Sequence, residues 1–214
     1  MQRTDLVPHL RPQPDESDLR PAGEQDVPVL ASRLGRAFRD NPGAGWVFPN
    51  EDSRLERLER LYALFLQRLW LGKADVYTTD RLGGAAIWLP PGGWRPSAGL
   101  QLRMLPRVVL ITREEFPRFL RYFNFIESRH PHEPHWYLSL LGVDPELQGR
   151  GFGSHLLQPG LRRCDQDGLP AYLETDTERN VALYQRHGFR VTEELPLPGG
   201  GPPFWLMWRD PAGA

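Results

Sequence analysis

Val143-Asp144-Pro145-Glu146-Leu147-Gln148-Gly149-Arg150-Gly151-Phe152-Gly153-Ser154 is the stretch whose reading decides the fold. It ends the apolar run Trp136–Val143, which only Ser139 and Gly142 interrupt. Such a run reads as a strand covered on both faces. A turn follows, and three glycines alternate into a helix expected over Gly151–Asp167. Glycine removes the Cβ that keeps a phosphate away from the backbone. The free N–H groups of a first helical turn then point at the anion, with the helix dipole in support. An ordinary strand-to-helix loop does not need three such glycines, which weaken a helix start.

Three nucleotide-binding readings compete for this cradle. A Walker loop needs Gly-Lys-Ser/Thr, and Lys73 is the chain's single lysine. A Rossmann fingerprint needs Gly-x-Gly-x-x-Gly. Gly149 and Gly151 begin it, but Ser154 stands in place of the third glycine, and too little chain follows Glu174 to complete a dinucleotide domain. A third reading, carried by Gln148–Gly153, matches at more positions.

Outward from the turn, strands and helices alternate, which places the chain in the α/β (α+β) class. Downstream, Ala171–Glu174 reads as a short strand and Asn180–His187 as a helix stopped by Gly188. Phe189–Leu195 and Phe204–Trp208 read as two last strands around the Pro/Gly loop Pro196–Pro203. Upstream, Asp18–Pro21 is expected as an opening strand. Val27, Leu30, Leu34 and Phe38 recur at helical spacing within Glu24–Arg39. Asn41–Pro49 reads as a Gly/Pro loop, and Glu51–Leu71 as a second helix with a broad apolar face. Ala74–Thr79 and Gly84–Leu89 read as a hairpin. Ser97–Glu127 holds one or two helices, with a break expected near Pro106 or Pro117. His130–His135 is a turn rich in His and Pro. Met1–Ser17 has three prolines and little periodicity. It is expected to be a flexible arm, leaving residues 18–210 as one domain.

Composition narrows the function. The chain has 214 residues, 26 basic and 27 acidic, with a net charge of −1. Binding nucleic acid by bulk electrostatics needs a basic surplus that is missing. The apolar runs, such as Leu61–Leu71, fall short of the roughly 20 residues a membrane helix needs. The N-terminus has no apolar signal region, so the expected location is the cytoplasm. A single cysteine, Cys164, excludes an internal disulfide framework and a Cys-rich zinc site.

Gln148-Gly149-Arg150-Gly151-Phe152-Gly153 fits the Gln/Arg-x-x-Gly-x-Gly/Ala turn of the GCN5-related N-acetyltransferases (GNAT). The chain resembles that superfamily from about Trp136 to Trp208. Within it, Ala171-Tyr172-Leu173-Glu174, Asn180 and Tyr184-x-x-x-Gly188-Phe189 look most like the puromycin N-acetyltransferases. The resemblance implies a mixed, mostly antiparallel sheet, splayed in the middle and flanked by helices, with acetyl-CoA in the cleft. It implies that the backbone of Leu141, Gly142 and Val143 pairs with the pantetheine arm. It gives the pyrophosphate to the amides of Gln148, Gly149, Arg150, Gly151, Phe152, Gly153 and Ser154, and gives Asn180 a pantetheine contact. Tyr184, four residues on, shares a helix face with Asn180. It would meet the cofactor's sulfur and protonate the departing thiolate.

Acetyl transfer to an amine also needs the ammonium to lose a proton and the oxyanion to find an N–H donor, which the backbone near Val143 offers. Glu174, expected at the C-terminal end of a strand, would take the proton or hold the acceptor's ammonium. General acid–base help of this kind is worth roughly 10²–10⁴-fold. Phe38, Trp46, Trp88 and Tyr137, with Glu174, form the expected acceptor-binding set. In this superfamily the loop holding Trp46 and Phe48 usually lines the acceptor site.

His130, His132 and His135 lie close together, but no acidic or cysteine partner has matching spacing, and Pro131 and Pro134 suggest a rigid turn. No metal is expected. His135 could reach the cleft as a proton relay. Cys164 reads as a core residue. The leading expectation is transfer to a small-molecule amine, by a monomer or homodimer, in antibiotic resistance or natural-product tailoring. The alternatives are acetylation of a peptide or protein, and a non-catalytic acyl-CoA sensor.

Overall fold

The computed structural model describes residues 18–213; the arm expected over Met1–Ser17 lies outside the described residues. Strand β1 (Leu19–Pro21) and a 3-10 turn at Glu24–Asp26 lead into helix α1 (Val27–Phe38), followed by α2 (Pro42–Val47) and α3 (Glu51–Phe65). The hairpin β2 (Asp75–Thr79) and β3 (Gly84–Leu89) precedes α4 (Ala98–Thr112) and α5 (Phe116–Arg129). Then come β4 (Trp136–Val143), α6 (Phe152–Asp167), β5 (Ala171–Thr175), α7 (Glu178–Gln185), β6 (Arg190–Pro196) and β7 (Pro203–Arg209). The strands form one sheet in the order β1-β2-β3-β4-β5-β7-β6. Only β4 and β5 run parallel; the other neighbours are antiparallel. This is the mixed, mostly antiparallel sheet that the resemblance implies.

The parallel pair is short. Trp136 faces Ala171 and Tyr137 faces Tyr172, and there the pairing stops. Beyond Tyr137 the two strands part, so the β5-facing edge of β4 has no strand partner from Leu138 to Val143. A bulge adds to the divergence. Leu138 opposes Trp88 and Leu140 opposes Ile87, which leaves Ser139 as the extra residue. An extra residue bends its strand and increases the local twist.

Both faces of the sheet are covered. One core joins α1, α3, α4 and α5 through Leu34, Leu61, Phe65, Ile87, Val108 and Phe119. The other joins α6 and α7 through Trp88, Leu138, Leu156, Leu157, Leu173 and Tyr184. Trp88 has no exposed surface. Its indole lies where a side chain at Gly160 would be, 2.1 Å from the ideal Cβ position. Pro159 stands inside α6 just before that contact, so helix and indole meet at the point where the helix lacks both a ladder N–H and a side chain.

Several boundaries differ from expectation. The Asn41–Pro49 loop contains α2: Asn41 Oδ1 accepts the Ala44 N–H and Pro42 opens the helix, a combination well suited to a helix start. The second helix does not run straight to Leu71, because Leu66–Trp70 forms a π-helical turn. The break between α4 and α5 falls at neither proline. It lies at Arg113–Glu115, where Arg113 has φ of 50°. Pro106 stays within α4. The carbonyl it leaves unpaired is that of Leu102, an exposed residue whose backbone water can serve. Pro117 sits in the first turn of α5, where its missing N–H costs nothing. No helix among the described residues is long and apolar enough to cross a membrane.

Candidate active site

The glycine turn is built from backbone. Gly149 and Gly151 have φ of 74° and 86°, a region that costs other residues roughly 1–2 kcal/mol. Gly151 is the N-cap of α6 and no side chain caps that helix, so its first-turn N–H groups remain available to an anion. Phe152 points its ring into the core and contributes only backbone. Gln148 Nε2 donates to Val143 O at 3.0 Å, fastening the turn to the end of β4. Ser154 Oγ meets His187 Nε2 at 2.9 Å. The other anchor is Asp144, which has no exposed surface. It accepts from Arg33 Nη1 at 2.8 Å, from Arg36 and from the Glu146 N–H. Burial works against its charge, but those donors hold its carboxyl below the ordinary aspartate range.

The parting of β4 and β5 opens into a cavity of about 550 Å³. Its walls are largely aromatic and include Phe38, Tyr62, Trp94, Tyr122, Tyr137 and Phe204. Leu141, Glu174, Asn180 and Tyr184 also line it, so the cavity brings together residues that sequence reasoning assigned to cofactor, acceptor and chemistry. Glu174 enters from the end of β5 with its side chain only 5% exposed. Tyr184 is buried in the same wall. Burial, and then the charge of Asp176, push its phenol pKa up, so it keeps its proton at neutral pH.

Two expected acceptor residues lie elsewhere. Trp88 is sealed between the sheet and α6, outside the cavity lining. Trp46 turns toward the β6–β7 loop, donating Nε1–H to Gly199 O at 3.4 Å beneath the Arg118 guanidinium. Phe48, from the same segment, does line the cavity.

Sequence reasoning missed two residues here. Asp176, one step past β5, is buried. It accepts from Asn41 Nδ2 at 2.6 Å and from the Gly43 N–H at 2.8 Å. A Cβ on Gly43 would stand 2.2 Å from its Oδ2, so this approach requires glycine. With no guanidinium beside it, burial raises the Asp176 pKa despite those donors. Its position two residues after Glu174 on one strand face was the available signal. The other is His130, whose Nδ1 lies 3.7 Å from Glu174 Oε1. Its only sequence signal was the His/Pro turn.

A splayed sheet with a glycine turn opening an uncapped helix beside a lined cavity is an architecture suited to acyl transfer. The comparisons with known proteins agree. The profile of the Acetyltransferase (GNAT) family matches residues 107–189. An uncharacterized N-acetyltransferase of Schizosaccharomyces pombe is 34% identical over 208 residues, covering 87% of this chain and 81% of that protein. A mycothiol acetyltransferase of Streptomyces coelicolor is 43% identical over 61 residues, 27% of this chain but only 19% of that protein. The crystal structure of a histone acetyltransferase HPA2 and related acetyltransferase from Corynebacterium glutamicum superimposes with a TM-score of 0.69 at 28% identity, over 92% of this chain and 97% of that one. The chain belongs to the GNAT acetyltransferase family.

Proposed function

We propose that this enzyme moves an acetyl group from acetyl-CoA to the amine of a small molecule with an apolar, aromatic-compatible body, directly and within one ternary complex. The observation that carries this reading is a buried carboxylate, Glu174, on the wall of an aromatic cavity beside the open edge of β4. The residues present fit the donor. Two positive-φ glycines and an uncapped helix suit its pyrophosphate, and the unpaired edge of β4 suits its amide-bearing arm. When bound, acetyl-CoA supplies a thioester-activated acetyl group.

The chain's own groups supply the rest. Glu174 takes the proton of the acceptor ammonium, directly or through a water. Backbone N–H groups on the open side of β4 face the developing oxyanion. Tyr184, kept protonated by its surroundings, donates to the departing sulfur. Asn180 shares the α7 face with Tyr184 and positions the pantetheine arm. The acceptor's body lies against Phe38 and Tyr137. The loop Gly93–Ser97, Leu100 of α4, and Phe119, Tyr122 and Phe123 of α5 wall the cavity, which favours a compact acceptor over a polypeptide. An amine joined to an aromatic body, as in puromycin, suits these walls, and with it a role in resistance or natural-product tailoring. A cytoplasmic site of action suits an enzyme that uses acetyl-CoA.

The test is thiol release from acetyl-CoA against puromycin, aminoglycosides, polyamines, amino acids and short peptides. Turnover on aromatic amines is the expected result. Turnover confined to peptides transfers the enzyme to the peptide reading. Acetyl-CoA binding by calorimetry with no turnover on any amine favours the sensor reading.

A further inference from the structure

The ring of His130 is almost completely enclosed, with its side chain 1% exposed. Trp94 stacks on it with centroids 3.9 Å apart, and Tyr137, Tyr172 and His135 approach at 4.7, 5.1 and 4.9 Å. Behind it, His135 Nε2 lies 3.0 Å from His130 Nε2, and His135 Nδ1 lies 2.6 Å from Glu133 O. A carbonyl oxygen only accepts, so His135 carries its proton on Nδ1. In the neutral ring its Nε2 is then an acceptor, and His130 must donate from Nε2. The remaining nitrogen, His130 Nδ1, therefore presents a lone pair to Glu174 Oε1, 3.7 Å away. Both atoms are buried and neither has a hydrogen-bond partner. Two facing lone pairs 3.7 Å apart leave room for one proton between them.

We propose that His130 Nδ1 is the second stop for the proton that Glu174 removes from the acceptor ammonium. This rests on the reading of Glu174 as the base. The proton leaves the acceptor nitrogen, freeing its electron pair for attack, and passes over the Glu174 carboxylate to His130 Nδ1. Glu174 is thereby regenerated as a carboxylate beside an imidazolium, and His135 Nε2 accepts the Nε2–H of that imidazolium. The proton returns to water through the cleft after product leaves. His130 acts through Glu174 and touches no reacting atom.

The surrounding charges permit this. Burial, with His130 as an opposing neighbour, holds His135 below the usual imidazole range, so it stays a neutral acceptor. Burial and then the Glu174 charge raise the Tyr137 and Tyr172 phenols, so neither competes as an anion. The nearby guanidiniums are engaged elsewhere: Arg129 lies 3.7 Å from Glu193, and Arg95 binds Glu127.

The experiment compares wild type, Glu174→Gln and His130→Gln as full chains, on an amine the wild type acetylates. The readout is the acid limb of the kcat–pH profile. In His130→Gln, kcat should fall about tenfold or more, the limb should move down by about one pH unit or more, and the KM for acetyl-CoA should hold. Imidazole in the buffer should restore part of the rate of His130→Ala. An unmoved acid limb in a folded, Glu174-dependent His130→Gln enzyme overturns the proposal and leaves the base reading standing. Full activity of Glu174→Gln removes the base reading and this one together. Nitrogen NMR of wild-type histidines gives a check independent of variant folding. The expected tautomers are Nε2–H for His130 and Nδ1–H for His135. A proton on Nδ1 of neutral His130 overturns the proposal.

Discussion

Asp144 and Asp176 each stand one residue past the end of a strand, and the two strands are those that part at the centre of the sheet. Both are buried, yet opposite chemistry holds them. Asp144 is clamped by two arginines from α1, and Asp176 by a side-chain amide and a backbone N–H at the start of α2. The first carboxyl is held below its ordinary range and the second is raised by burial. The Asp144 charge is thus met by two guanidiniums beside the glycine turn. Asp176, which lines the aromatic cavity, is held by neutral donors alone among the described residues. The two ends of the cleft therefore differ in polarity.

The largest expected effect tests the acceptor end. Glu174→Gln should lower kcat about 10²–10⁴-fold while calorimetry finds the acetyl-CoA affinity unchanged. A parallel loss of affinity would mean the two ends are not separate.

Asp144→Asn tests the clamp. It should cost about 2 kcal/mol at pH 7, because hydrogen bonds to a charged group are lost. The folded-state carboxyl lies below its unfolded value of about 3.9. Its contribution is therefore complete above about pH 4 and disappears as pH falls through the folded value. Melting curves of wild type and variant should converge in acid.

Asp176→Asn should raise the KM of a cationic acceptor about tenfold, by removing one charge near the ammonium. Its stability effect has the opposite pH sign. A raised carboxyl pKa means that the folded state binds the proton more readily, so wild type gains on the variant as pH falls through the folded value, and the gain is complete below the unfolded value of about 3.9.

Smaller effects belong to the backbone. Gly149→Ala meets no atom within 4 Å, so its cost is the positive φ alone, about 1–2 kcal/mol, read as a lowered melting temperature. Least of all, Trp46→Phe should change the acceptor KM less than about twofold, because that ring leaves the cavity for Gly199.

The same polarity explains what the sequence disclosed. The cofactor end is made of consecutive residues whose backbone does the work, so Val143–Ser154 could be read as one phrase. The strands around it follow, because β4, β5 and β7 carry apolar runs with clear stops. The acceptor end is assembled from α1, α2, α3, the β3–α4 loop, α5, β4, β5, α7 and β7. His130 reaches Glu174 only because α5 ends where the His/Pro turn folds back under Trp94. Trp46 and Trp88 were drawn to the cavity by residue type, and the sheet turned one to the opposite core. The α2 helix was legible in Asn41-Pro42 but outweighed by the glycines after it. The π-helical turn at Leu66–Trp70 has no local signature.

The contact between Trp88 and Gly160 has an evolutionary consequence. The indole occupies the volume a side chain would need, so neither position is free to drift alone. Any larger residue at 160 must be accompanied by a smaller ring at 88. Across descendants of this chain the two sites should be inherited as one character, written in two places and lost together.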